Sequence, residues 1–134
     1  MDNCERVASH PAPELENPTV LVVEDEILVR MMVTDCLREA NYKVIEASNG
    51  DQAIAILRSA TKVHVVISDV RMPGSVDGVG LAKLVKSEMP QVKIVLVSGH
   101  LRPLDAVKHD GFFVKPYNVD GVIAHIQTLL RPGS

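Results

Sequence analysis

From Thr19 onward the chain alternates short apolar runs with longer segments of helical spacing. The runs are TVLVV (19–23), KVIEA (43–47), HVVIS (64–68), KIVLV (93–97) and FFV (112–114), rich in the β-branched residues that suit strands. Between them, Leu28, Met32 and Leu37 fit one face of a first helix, with Asn41 placed as a left-handed residue after it. Ser48 and Asp51 have the spacing of a capping box opening a second helix that carries Ala53, Ile54 and Leu57. Val79, Leu81, Leu84 and Val85 predict a third helix. Val122, Ile123, Ile126, Leu129 and Leu130 predict the last. Apolar strands alternating with helices indicate an α/β fold, with a parallel sheet covered on both faces.

The polar residues fall at one end of these runs. Glu24, Asp25 and Glu26 follow the first strand, Asp69 the third, Ser98, Gly99 and His100 the fourth, and Lys115 and Pro116 the fifth. In an open parallel sheet, ligands bind beyond the carboxyl ends of the strands. A lone acidic residue there is usually a loop residue, but carboxylates, a hydroxyl and an amine after four strands form a set. Three carboxylates brought together repel one another. Mg²⁺ would relieve that repulsion while leaving room for water and phosphate oxygens. An aspartate can serve as a nucleophile toward phosphorus, and a lysine can neutralise a phosphoryl oxygen. Nucleophile, metal, cation and donor are what phosphoryl transfer requires.

Composition adds bounds. The 134 residues fit one domain, with 46% apolar and 23% charged residues as in an ordinary globule. A formal net charge of −3 gives no electrostatic reason to expect nucleic-acid binding. No apolar run approaches the ~20 residues of a membrane span. Residues 1–17 are polar with two prolines and read as a tail; the domain is expected over 18–131. Cys4 and Cys36 have no metal-ligand spacing and make a poor disulfide framework, so a reduced, cytoplasmic protein is expected, with Cys36 a packed small residue. His10, His64, His109 and His125 have no ligand-like spacing either.

The motifs VLVVEDE, VVISDVRMPG…DG, IVLVSGH and FFVKPY, in this order and each on an apolar strand, resemble those of a two-component response-regulator receiver domain from about Thr19 to Leu130. The resemblance implies a doubly wound, flavodoxin-like sheet of five strands in the order 2-1-3-4-5. It implies that Asp69 is the phosphoacceptor, that Glu24 and Asp25 hold Mg²⁺ together with Asp69 and the backbone carbonyl of Arg71, and that Lys115 and Ser98 complete the catalytic set. Phe112 falls at the aromatic switch position, although a buried ring needs no such reason. The Lys115–Pro116 bond is expected to be cis, as is common in the family. Arg71 and His100 would flank the path of an attacking water. The reading favours shielding of the phosphoryl group by both, with His100 as an orienting base the alternative.

Two departures stand out. The loop MPGSVDG is longer than the family's usual form, which leaves the chemistry intact. Between Ser98 and Lys115 the chain is several residues short and contains Pro103, so the fourth helix of the family pattern is expected to be short, irregular or absent, which puts the usual dimerisation mode in doubt. A flavodoxin-type carrier is disfavoured because EDE has the wrong sign for a phosphate loop, and a dehalogenase-type phosphatase because Arg71 stands where it needs a second aspartate. The expectation is therefore a stand-alone response regulator rather than an enzyme. It would be phosphorylated by a histidine kinase or histidine phosphotransfer protein and act through contacts with a downstream protein, as a monomer or weak homodimer. Phosphate sink, relay receiver cut from a hybrid kinase, and degenerate interaction module are the alternatives.

Overall fold

The structure, a computed structural model, describes residues 17–99 and 108–131. The expected tail, His100, and the segment with Pro103 where a shortened helix is expected lie outside these residues, apart from Asn17.

The five predicted runs form strands: β1 (Thr19–Val23), β2 (Lys43–Ala47), β3 (Val65–Asp69), β4 (Lys93–Ser98) and β5 (Gly111–Val114). They make one parallel sheet in the order β2-β1-β3-β4-β5. The described helices are α1 (Ile27–Glu39), α2 (Gly50–Leu57), α3 (Gly78–Glu88) and α4 (Val119–Leu129). Successive strand residues face opposite sides of the sheet, which splits the core in two. Val20, Val22, Val65, Ile67, Val95 and Val97 pack with α1 and α4. Leu21, Val23, Val66, Ile94 and Leu96 pack with α2 and α3. A central strand such as β1 is therefore buried at every position and apolar from Val20 to Val23, because each of its faces has a helical layer to meet.

Three local readings need correction. Leu28 is 80% exposed and does not join the core face of α1. That face runs through Val29, Met32, Val33, Cys36, Leu37 and Ala40, and Leu28 is one residue, or about 100°, off it. The cap of α2 is Asn49, whose side chain accepts the Gln52 N–H at 2.8 Å, while the Gln52 side chain accepts the Ser48 N–H. Asp51 instead accepts the Ser75 hydroxyl at 2.9 Å, so it ties the long β3–α3 loop to α2. Cys36 is fully buried, as a packed residue would be, but it is disulfide-bonded and not the reduced thiol expected. Asn41 does take the left-handed conformation, with φ 73°.

Close approach of α3 to the end of β3 requires glycine at position 78. A Cβ there would run into the Asp69 carbonyl oxygen and lie 2.7 Å from Val70 Cα, both backbone atoms. No helix of the described residues is long and apolar enough to cross a membrane.

Candidate functional site

β1 and β3 are neighbours, so their carboxyl ends bring Glu24, Asp25 and Asp69 together. One carboxylate oxygen from each lies within 4.8 Å of the others. Glu24 and Asp69 are buried, while Asp25 is exposed. Lys115 arrives from the end of β5, two strands away from β3. Its Nζ donates to Asp69 Oδ2 at 2.8 Å and to Glu24 Oε1 at 3.2 Å. The Lys115–Pro116 bond is cis, as expected. The Lys115 N–H donates to the Ser98 carbonyl at 2.7 Å, which fixes the start of this loop against the end of β4.

The electrostatics follow from burial and crowding. Loss of water pushes the Glu24 carboxyl up to about 7. The Glu26 N–H opposes that shift, the charge of Asp69 adds to it, and Lys115 opposes it. For Lys115, burial disfavours the ammonium, but its hydrogen bond to Asp69 and the charges of Asp69 and Glu24 outweigh this and hold its pKa above the ordinary lysine value. Tyr117, buried next to the site, is pushed up to about 12, chiefly by burial. The cluster is thus anionic, with one ammonium against three carboxylates, and it holds its lysine charged. Hard oxygen ligands, few enough to leave positions for water and phosphate, are the set that Mg²⁺ prefers. The residues present therefore fit this ion.

The other predicted residues are placed less directly. Ser98 is buried at the end of β4, beside Val114 of β5. Arg71 is exposed two residues beyond Asp69. Phe112 is partly buried and packs on the α2–α3 layer, its ring centroid 6.3 Å from that of His109. His100 lies outside the described residues. Arg30 was not among the predicted residues. Its guanidinium donates to the Glu24 carbonyl at 2.7 Å and to Glu46 of β2 at 3.0 Å. Only the pairing of β1 with β2 brings these groups together, so no linear spacing announces it.

Comparison with known proteins agrees with this geometry. The family model described as the response regulator receiver domain matches residues 20–127. Sensor kinase CckA of Brucella abortus is 35% identical over 119 residues, which cover 84% of this chain and 12% of that protein. Transcriptional regulatory protein BaeR of Escherichia coli O6:H1 is 30% identical over 119 residues, 85% of this chain and 48% of that protein. The chain thus spans less than half the length of either relative. Among solved structures, response regulator TrrA of Thermotoga maritima, in complex with Mg(2+)-BeF, is similar with a TM-score of 0.77 and 28% identity, covering 84% of this chain and 99% of that one. Chemotaxis response regulator CheY4 of Vibrio cholerae has a TM-score of 0.75 and 32% identity over 84% of this chain and 98% of that one. With the fold, the acidic cluster and the matched residues in agreement, the chain belongs to the response regulator receiver domain family.

Proposed function

We propose that the chain is a phosphoacceptor signalling protein in which Asp69 takes a phosphoryl group from a phosphohistidine of a histidine kinase or phosphotransfer protein. The P–N bond breaks, its electron pair returns to the donor imidazole, and a P–O bond forms to the Asp69 carboxylate. The observation that carries this reading is the Lys115 ammonium set between Asp69 and Glu24 in a cluster of three carboxylates. Lys115 orients the nucleophile and stays charged, so it can follow the phosphoryl oxygens as negative charge moves onto Asp69. Glu24, Asp25 and Asp69, with the Arg71 backbone carbonyl, would hold Mg²⁺, which when bound neutralises phosphoryl oxygens. In this reading Ser98, at the end of the strand beside Asp69, supplies a hydroxyl donor, and Phe112, paired with Leu96 across β4 and β5, is the aromatic switch residue.

The donor is a protein, in this reading, because the apolar side chains of Ile27, Leu28 and Met31 stand exposed directly after the acidic pair. An apolar hollow of about 320 Å³ lined by Val29, Met32, Lys115, Pro116 and Tyr117 opens beside them. A cytoplasmic site of action and a role as acceptor rather than turnover enzyme belong to the same reading. The similarity to a segment of a sensor kinase favours a second one, in which the domain acts as a relay receiver within a longer protein. Both make the chemistry metal-dependent. Incubation with acetyl phosphate is expected to label the wild type in Mg²⁺ but not in EDTA. Equal labelling in EDTA would contradict the role given to the acidic cluster.

A further inference from the structure

Arg30 lies on the first turns of α1, away from the reacting atoms, and its side chain is only 16% exposed. Its Nη1 donates to the main-chain carbonyl of Glu24 at 2.7 Å, and its Nε donates to Glu46 Oε1 at 3.0 Å. The Glu24 N–H in turn donates to the Ala47 carbonyl at 3.0 Å. Glu24 is thus held at both backbone ends, by β2 on one side and by Arg30 on the other, immediately before exposed Asp25. Glu46 is itself shared with Arg38 at 3.4 Å, but Arg38 makes no bond to Glu24. The peptide that joins the two acidic residues would otherwise be the first turn outside the sheet, free to rotate and carry Asp25 with it.

We propose that Arg30 is a positioning residue for the metal site: its planar fork clamps the Glu24–Asp25 peptide to β2, so the two carboxylates are aimed before the ion arrives. The inference rests on the proposed Mg²⁺ role of this cluster. It makes a prediction of unusual sign. Removing a cation near a dication site should tighten Mg²⁺ binding by charge alone. Loss of positioning should weaken it, as when groups that orient metal ligands are removed.

The experiment is calorimetric titration of the purified full chain with Mg²⁺ alone, for wild type, Arg30→Ala, Arg30→Lys and Arg38→Ala. Arg30→Ala is expected to weaken binding about tenfold. Arg30→Lys keeps the charge but cannot reproduce the two-pronged hold, so it should fall between the two, roughly threefold weaker than wild type. That variant decides the matter if Arg30→Ala fails to fold. Arg38→Ala, which also removes a cation from Glu46, should bind as wild type or slightly tighter. Wild-type affinity or tighter in Arg30→Ala and Arg30→Lys, or equal weakening in Arg38→Ala, would overturn the positioning role. Absence of Mg²⁺ binding by the wild type would overturn the metal reading itself, and this inference with it.

Discussion

Glu24 shows how a single residue can oppose folding for the sake of a site. Its buried carboxyl is raised from an ordinary 4.5 to about 7. Between those values the folded chain keeps a proton that the unfolded chain has lost, so metal-free stability falls as pH rises through that window. Glu24→Gln cannot ionise and should lose this slope, becoming more stable than wild type on the alkaline side. Urea unfolding in EDTA at about pH 5 and about pH 8 reads the difference. A wild-type curve parallel to that of the variant would contradict the assignment. The acidic residues themselves were legible in the sequence because each follows an apolar strand. Arg30 was not, since the carbonyl and carboxylate it joins meet only when β1 and β2 pair.

At the scale of elements, the ends of strands and helices are held by a few polar contacts. The start of β1 is fixed by His64, whose Nδ1 accepts the Thr19 N–H at 3.0 Å while its own N–H donates to the Thr19 carbonyl. Burial, and secondarily the charge of Lys62, lowers the His64 pKa from 6.5. A base whose folded pKa is depressed contributes stability that is full above about 6.5 and is lost as pH falls. His64→Ala should leave the Thr19 N–H without its acceptor, cost about 1–3 kcal/mol at neutral pH, and remove that acid-side loss. Denaturation across this pH range checks both; an unchanged acid limb in the variant would refute the role. At the other end of β3, Gly78→Ala would drive a Cβ into the Asp69 carbonyl. The expected cost is about 1–3 kcal/mol by equilibrium unfolding, together with slower phosphoryl uptake, because the backbone that must shift carries Asp69. Element existence and strand spans could be read from the sequence within a residue or so. Helix register in α1 could not: Leu28 and Val29 are both apolar, and only the position of the sheet decides which one is covered.

The whole molecule is a sheet with two apolar layers and one polar edge. The layers account for the fold. Val20, Val22, Ile67 and Val95 serve one, while Leu21, Val23, Val66 and Leu96 serve the other, so neither can be lost without the sheet. The polar edge accounts for function, because parallel strands deliver all their carboxyl ends to the same side and thereby place residues 24, 25, 69 and 115 in one cluster. The chemistry at this edge was legible as residue types in order. Its charge balance and the lysine bridge required the strand order in space.

Intact-mass spectrometry of the wild type and of Asp69→Asn, each incubated with a small phosphodonor and Mg²⁺, tests the central claim most directly. The account predicts a gain of one phosphoryl group in the wild type and none in Asp69→Asn, with the variant still folded by circular dichroism. A wild type that gains no mass, or a folded Asp69→Asn that gains the same mass, would contradict it.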